Sequence, residues 1–313
     1  MDTLRQIHRF SEIAEIRHLV QRFGYRASHM KISPGSLDVE AFEMRVDGCL
    51  LYRERFGCQF LVHGISSPEG YGVMLVEQGY GRFYGIDVSP KSVVLFPPGC
   101  EIDAFGRPGV TTLHFFLPKD RIEAAAAEWD IDLVRFSRST VVEPGIDRMH
   151  HLQAVSDQVT EIFDNGDLSA WPRAEEDLVD TFLGLFDRAA FGERGPRRSS
   201  GAAAEHAVKV VKHICSDPPV ELDFESLARD LGISRHHLNR CFLEHYEVSV
   251  HAFVRICRLH LTRELLLEHG SGMTVTEAAY SCGFNHLGRF SAEYKHLFSE
   301  SPSETLLQAA RGG

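Results

Sequence analysis

The chain has 313 residues, of which 43% are hydrophobic and 25% charged, and its net charge is −11. This composition is typical of a globular protein and excludes a disordered chain. No apolar run approaches the ~20 residues that a membrane-spanning helix needs, and the first residues lack a secretory signal pattern, so we expect a cytoplasmic protein without membrane contact. Seven cysteines without a Cys-x-x-Cys pair favour a reduced compartment.

The N-terminal part is predicted to be mainly β structure. Residues 31–117 contain short apolar runs separated by Gly, Pro and Ser turns at a spacing of about ten residues, which is typical of a small sandwich or barrel. A short helix is predicted over 119–130. Two longer amphipathic helices are predicted over 145–164 and 172–192, because their apolar residues recur on one helical face.

A boundary between two domains is predicted near residue 200. The segment 195–202 is polar and rich in Gly and Ser, as linkers are. We therefore divide the chain into an N-terminal domain (1–194), this linker (195–202) and a C-terminal domain (203–313).

The C-terminal domain contains a pattern that occurs twice. Residues 274–298 predict a short helix, a tight turn at Gly283 and a second helix. A weaker copy surrounds Gly232, which lies 51 residues upstream, and a long helix over Val250–His269 is predicted between the copies. Two helix-turn-helix units in tandem can place two recognition helices in neighbouring DNA grooves.

Capping and apolar spacing support both units. Ser234 is placed to cap the first recognition helix, with Leu238 and Phe242 on its core side. Thr274 and Glu277 form a capping box for the second unit. The apolar stripe of the recognition helix in the second unit consists of Phe290, Tyr294 and Phe298.

The charge balance does not by itself indicate a nucleic-acid partner. The last 113 residues carry 11 Lys and Arg against 14 Asp and Glu, a net charge of −3. Phosphate binding would therefore depend on the local placement of Arg, His and helix N-termini.

The C-terminal third resembles the AraC/XylS family of bacterial transcription regulators. The residues that carry the resemblance are Gly283-Phe284, Arg289-Phe290-Ser291, Tyr294-Lys295, Phe298 and Ser301-Pro302. The resemblance implies an α+β protein, with an N-terminal cupin-like β-barrel and helical hairpin and a C-terminal, all-α, seven-helix double helix-turn-helix domain. Residues 95–103 are also similar to a strand and turn of the family's barrel.

The same resemblance implies a function and partners. It implies an effector-responsive regulator, usually an activator, that binds double-stranded promoter DNA and contacts RNA polymerase. Its N-terminal domain is expected to sense a small molecule and to form a homodimer. No enzymatic activity, metal or other cofactor is expected.

Eight residues are predicted to contact DNA. Arg240, Asn239 and His236 of the first unit and Arg289 and His286 of the second face away from the apolar stripes, and Arg and Asn pair with guanine and adenine, respectively. Arg235 and Lys295 are better placed for phosphate. Gly288 has no hydrogen-bonding side chain, so readout by the second unit depends on Arg289 or on DNA shape.

The identity of the effector is left open by two patterns. Aromatic residues of the predicted barrel favour either a ligand pocket or a filled core; they are Phe60, Tyr71, Phe83, Tyr84, Phe96 and Phe115. Arg5 and Arg9 form an Arg-x-x-x-Arg element. Asp87 and Ser89 begin a different pattern, Asp-x-Ser-x-x-Ser, and together the two patterns resemble the PilZ motifs that bind cyclic di-GMP. The first pattern also occurs at Arg22/Arg26 and Arg194/Arg198, and Ser92 stands where the second has Gly.

Two other classes of function stay open. A metal-dependent cupin enzyme fused to a DNA-binding domain would need His63, His114 and Glu101 to converge, although the usual His-x-His pair is absent. A ligand-independent regulator would use the helices at 145–192 for protein contacts.

Overall fold

The computed structural model describes most of the chain. The described ranges are 3–10, 13–22, 24–34, 37, 39–133, 138–165, 167–191, 202–216 and 224–312. The predicted linker at 195–202 falls almost entirely outside them, as do Pro218 and Pro219, the predicted helix breakers, and Asp223, a predicted helix cap. The division into 1–194 and 203–313 therefore stays a prediction.

The N-terminal half consists of two antiparallel sheets. The strands are β1 (Thr3–Phe10), β2 (Arg26–Lys31), β3 (Val39–Val46), β4 (Cys49–Arg55), β5 (Phe60–Ile65), β6 (Gly70–Gln78), β7 (Gly81–Phe83), β8 (Ile86–Val88), β9 (Val93–Phe96), β10 (Glu101–Gly106), β11 (Thr111–Pro118) and β12 (Thr140–Val142). One sheet has the order β1-β3-β4-β11-β6-β9-β12, and the other has the order β2-β5-β10-β7-β8. Apolar residues of both sheets pack in one core cluster between them.

Helices complete the architecture. They are α1 (Ile13–Gln21), α2 (Lys119–Glu128), α3 (Ile146–Asn165), α4 (Trp171–Phe191), α5 (Ala202–Ser216), α6 (Phe224–Asp230), α7 (Arg235–Tyr246), α8 (Val250–His269), α9 (Val275–Ser281), α10 (Leu287–Phe298) and α11 (Pro302–Gly312). The helices α2, α3 and α4 share a second core cluster with the larger sheet, in which Phe182 lies edge-on to Tyr71 with ring centroids 5.8 Å apart. Among the described helices, none is long and apolar enough to cross a membrane.

The predicted fold class is confirmed in its main features. Antiparallel sheets form the N-terminal half, α3 and α4 form the helical hairpin, and seven helices follow in the described C-terminal part. The prediction missed β1, α1, β12 and all of β2 except its last residue. Edge elements are difficult to predict from sequence because distant partners stabilise them. For example, β1 pairs with β3 over the register Thr3–Val46 to Phe10–Val39, so the paired residues are about 29 to 43 positions apart.

The two halves share an apolar interface. Met30 of β2, Leu61 of β5 and Phe105 of β10 are buried together with side chains of α5, α7 and α8. This cluster lies on the face of the smaller sheet opposite its contact with the larger sheet. The smaller sheet therefore separates the core between the sheets from the first helix-turn-helix unit.

Candidate nucleic-acid interface and effector cavity

The first unit consists of α6, a turn and α7. Gly232 in the turn has a φ of +69°, a left-handed conformation that favours glycine. The Ser234 hydroxyl accepts a hydrogen bond from the His237 amide at 3.1 Å, as a helix N-cap does. Leu238 and Phe242 are fully buried, so the predicted core face of α7 is confirmed and its opposite face points to solvent.

The exposed face of α7 carries the residues predicted to contact DNA. Arg235, His236 and Arg240 are exposed. Arg235 lies 3.1 Å from His251, and Arg240 donates to Nδ1 of His237 at 2.8 Å. These two guanidinium groups are therefore already oriented by neighbouring imidazoles.

Asn239 has a structural role that the sequence did not suggest. Its side-chain oxygen accepts a hydrogen bond from the amide of Val250, the first residue of α8, at 3.2 Å. The carboxamide thus ties α7 to the start of α8. Reading adenine would need both the oxygen and the nitrogen of this group, so base contact and the helix tie compete.

The second unit repeats this local geometry with α9 and α10. Gly283 has a φ of +79°, matching Gly232. The predicted capping box is present, since Thr274 and Glu277 each accept from the other's backbone amide. Phe290 and Tyr294 are buried, whereas Phe298 is only half-buried and covers the rim of the cluster.

The exposed face of α10 is open to a partner. His286, Gly288, Arg289 and Lys295 are all exposed, and a Cβ atom at Gly288 would meet nothing within 4 Å. Arg289 donates to Glu293 at 2.9 Å, and Glu293 also accepts from Arg255 of α8 at 3.0 Å. This carboxylate therefore orients Arg289 and joins α10 to the long helix.

Two such units with a shared long helix define a tandem helix-turn-helix protein, and the comparisons agree. A model described as "Helix-turn-helix domain" matches residues 227–308. The HTH-type transcriptional regulator GlxA of Rhizobium meliloti is 38% identical over 81 residues, which are 26% of this chain and 24% of that protein. A XylDLEGF operon transcriptional activator of Pseudomonas putida is 31% identical over 104 residues, 33% of this chain and 32% of that one.

One solved structure is also similar to part of this chain. It is a probable AraC family transcriptional regulator from Rhodopseudomonas palustris, 34% identical to this protein, with 97% of its chain and 34% of ours covered and a TM-score of 0.32. Residues 227–308 therefore form a helix-turn-helix domain of the AraC/XylS type. The chain spans about a quarter to a third of the length of these two curated relatives.

A cavity of about 110 Å³ lies between the two sheets. The residues that line it include Phe60, Phe83, Phe96 and Phe115. Lining a pocket is one of the two roles that the sequence analysis left open for these side chains. Tyr71, by contrast, packs against Phe182 on the other face of the larger sheet. The volume is smaller than the roughly 150 Å³ of an apolar cavity that accepts benzene, so the size limits a ligand to about one ring.

One wall of the cavity is polar. Tyr52 and Glu54 of β4 lie opposite His114 and Thr112 of β11, and these alternate residues share one face of the sheet. Nε2 of His114 is 3.3 Å from a Glu54 oxygen and 3.0 Å from the Thr112 hydroxyl. The sequence analysis missed this cluster, although polar residues at every second position of two apolar strands are the signal that marks it.

His29 of β2 faces this wall from the other sheet. Burial lowers its pKa to about 4, against an opposing effect of Glu54, so the imidazole is neutral at pH 7. Its Nδ1 atom is buried and has no hydrogen-bond partner. Burial favours the neutral form of Glu54, but hydrogen bonding and charge from His114, with His29 and Tyr52, hold its pKa below the usual value. The cavity thus combines a buried carboxylate with an unsatisfied imidazole nitrogen, which is costly unless a ligand pairs with it.

The residues predicted to bind cyclic di-GMP lie on two different sheets. Arg9 is the next-to-last residue of β1, at an edge of the larger sheet, and pairs with Glu40 at 3.3 Å; Arg5 lies in the same strand. Asp87 of β8, at an edge of the smaller sheet, pairs with Arg82 at 3.0 Å, and Ser89 follows it. In this structure Arg9 and Asp87 each form an ion pair with another residue of the same chain.

The histidines considered for a cupin metal site have separate partners. His63 lies 3.6 Å from Asp103, His114 pairs with Glu54, and Glu101 is exposed and contacts Lys212 of α5. These three side chains therefore do not form one ligand set in the structure.

Strand β10 connects the cavity with the first unit. Ile102 and Ala104 line the cavity, and Asp103 between them points to the opposite face. Asp103 accepts hydrogen bonds from the Tyr246 hydroxyl at 2.8 Å and from Nε2 of His245 at 3.0 Å. Both partners end α7, so its last turn is fixed to the strand that forms the cavity wall.

Proposed function

We propose that this protein is an effector-responsive transcription regulator that binds promoter DNA through α7 and α10. The proposal is carried by one observation: both helices bury their apolar faces and leave exposed arginines, Arg240 and Arg289, on the opposite faces. Arginine pairs bidentately with guanine, and two such helices match successive major-groove segments. The proposal includes activation, which is the role in the name of the Pseudomonas relative. It also includes contact with RNA polymerase and homodimerisation through α3 and α4.

The signal is proposed to travel through β10. A ligand that displaces Ile102 or Ala104 also displaces Asp103, because these residues are consecutive in one strand. Asp103 is bonded to the last residues of α7, so the position or the freedom of that helix changes with it. Ligand binding then shifts the population of the DNA-binding arrangement of the two halves.

The cavity favours an uncharged ligand of about one ring with a hydroxyl group. A hydroxyl donates and accepts, so it satisfies Nδ1 of His29 in either tautomer. A carboxylate would instead meet the ionised Glu54 in a buried site. Cyclic di-GMP, the other proposed effector, has two guanosines and two phosphates and exceeds the cavity; its binding would require the surface near Arg9.

DNA binding is tested with Arg289→Ala. Duplexes enriched from a random library by the wild-type protein would be titrated in a gel-shift experiment. We expect the variant to lose about 1–3 kcal/mol of specific binding free energy, because a bidentate guanine contact contributes that much. Arg289→Lys keeps the charge but not the bidentate geometry, so it should recover affinity for non-specific DNA and not for the enriched sites. Equal affinity of Arg289→Ala and wild type for the enriched duplexes would refute the assignment.

Effector binding is tested by thermal unfolding with phenol, toluene, benzoate and cyclic di-GMP. We expect phenol to raise the melting temperature most and benzoate least; a ligand at 100 times its Kd stabilises by about 2.7 kcal/mol. The phenol effect should be lost in His29→Leu and kept in His18→Leu, which changes an exposed histidine of α1. A shift with cyclic di-GMP that disappears in Arg9→Ala would move the effector site to the edge of β1.

A further inference from the structure

A second group of polar side chains lies inside the first helix-turn-helix unit. It consists of His206 of α5 and His237 and Cys241 of α7, whose possible ligand atoms all lie within 4.8 Å of one another. Neither the proposed DNA contact nor the effector cavity uses this group. Among the described residues it is the one cluster of three or more such side chains with the spacing of a metal site.

Local structure explains why these three side chains meet. His237 and Cys241 are four residues apart in α7, so they lie on one face of the helix. The rings of His206 and His237 are nearly perpendicular, with centroids 6.2 Å apart. Cys241 is 1% exposed, and Nδ1 of His206 is buried without a hydrogen-bond partner. A buried nitrogen lone pair or N–H without a partner carries a desolvation cost that a bound ligand would remove.

We propose that His206, His237 and Cys241 bind a divalent transition metal, with Zn²⁺ as the best match. Two imidazoles and one thiolate are preferred zinc ligands, at ~2.0–2.1 Å for nitrogen and ~2.3 Å for sulfur, and a water molecule completes the tetrahedron. Ligand atoms bound at these lengths lie roughly 3.5 Å from one another. Side-chain rotations that move each ligand atom by about 1 Å would therefore bring the three atoms to metal-binding distance. The thiol releases its proton to solvent on binding, and the site gains one net positive charge.

Metal binding would change the hydrogen bond of Arg240. At present Nδ1 of His237 accepts from the Arg240 guanidinium at 2.8 Å. A metal-bound neutral imidazole has one nitrogen on the metal and a hydrogen on the other, so neither nitrogen can accept. Arg240 must therefore leave His237 whichever nitrogen binds the metal.

This consequence rests on the proposed function of α7, whereas metal binding itself does not. A released Arg240 is available to a base edge or phosphate, and the added positive charge lies on the same helix. Both effects favour binding to the DNA polyanion. The metal is therefore expected to tighten DNA binding several-fold.

The experiment is a titration of the full-length, metal-free protein with Co²⁺, followed by displacement with Zn²⁺. We expect one Co²⁺ per chain and a thiolate-to-cobalt charge-transfer absorption that Zn²⁺ abolishes. Cys241→Ala should lose this absorption, and Cys282→Ala, which changes a buried cysteine of the second unit, should keep it. His206→Gln should weaken binding by at least the ~10–100-fold that even outer partners of metal ligands contribute. Circular dichroism melting of each variant verifies that it is folded.

The outcomes separate the two parts of the proposal. Absence of the cobalt–thiolate absorption in the folded wild type, or its survival in Cys241→Ala, would overturn the metal site. The DNA arm compares affinity for enriched duplexes with and without Zn²⁺, in wild type and in Arg240→Ala. A normal cobalt spectrum with unchanged DNA affinity would support the site and overturn its coupling to Arg240. Failure of the wild type to bind any duplex, with Zn²⁺ as well as without it, would count against the proposed function alone.

Discussion

Replacement of Asp103 by alanine is expected to reduce the free energy of unfolding by about 3–5 kcal/mol, as removal of one partner of a buried ionic contact does. The Asp103 carboxylate is 1% exposed and accepts from His245 and Tyr246, with His63 3.6 Å away. Burial raises the pKa of this carboxyl group, but the hydrogen bonds from His245 and Tyr246, together with the nearby His63, more than offset this and bring the pKa below its usual value. Alanine would remove the acceptor and leave polar side chains buried in the interface.

Urea unfolding of wild type and Asp103→Ala at pH 7 measures this effect. The control is Asp87→Ala. Asp87, like Asp103, has a polar partner, which is Arg82, but the side chain of Asp87 is 81% exposed. That variant should change stability by less than about 1 kcal/mol, the usual value of surface pairs. Asp103→Ala should also alter affinity for the enriched duplexes, since it releases the end of α7. A loss of stability no larger than that of the control would contradict the role given to Asp103.

Acidification from pH 6.5 to pH 4 is expected to destabilise the protein by about 3 kcal/mol for each of two buried histidines. Burial lowers the pKa of both His29 and His260 from 6.5 to about 4. Glu54 opposes the shift of His29, and Arg17 and His114 add to it. For His260 the hydrogen bond to the Lys31 carbonyl opposes the shift, while the charges of Arg263, Lys31 and Arg17 add to it. A shift of one pKa unit corresponds to 1.36 kcal/mol.

The direction follows from proton uptake. Below pH 6.5 the unfolded chain binds protons at these imidazoles and the folded protein does not. The free energy of unfolding therefore decreases as the pH is lowered from 6.5 to the pKa of the folded protein. Above pH 6.5 the contribution is constant. Urea unfolding at a series of pH values measures the slope.

His260→Gln provides the matched variant, because its side-chain amide can still donate to the Lys31 carbonyl, which His260 Nε2 does at 2.8 Å. Its stability should depend on pH about half as steeply as that of the wild type in this window. An identical slope in both proteins would show that His260 does not titrate as a buried neutral group.

The sequence predicted the C-terminal domain more completely than the N-terminal one, for a physical reason. Each helix-turn-helix unit is specified by neighbouring residues: a left-handed glycine at 232 or 283, a cap at Ser234 or Thr274, and apolar spacing of three to four residues. The bounds of α8 agree with the predicted helix at both ends. Such features depend on local conformational preferences, which the sequence states directly.

The placement of the polar groups depended on distant partners. Whether Arg240 faces solvent is predictable from the helical period, but the tie from Asn239 to Val250 needed the packing of α7 against α8. The same holds for His29, which meets Glu54 and His114 only because two sheets close on each other. Side-chain alternation predicts a face of a strand and not the strand that lies opposite it.

Local caps, turns and apolar periodicity specify the tandem helix-turn-helix domain, so this domain is predictable without knowledge of the tertiary structure. Tertiary structure alone decided the cavity between the sheets, the Asp103 contact with α7 and the cluster of His206, His237 and Cys241. Each of these joins residues that are tens to more than a hundred positions apart in the chain, and their separation in space is set by the packing of whole sheets and helices.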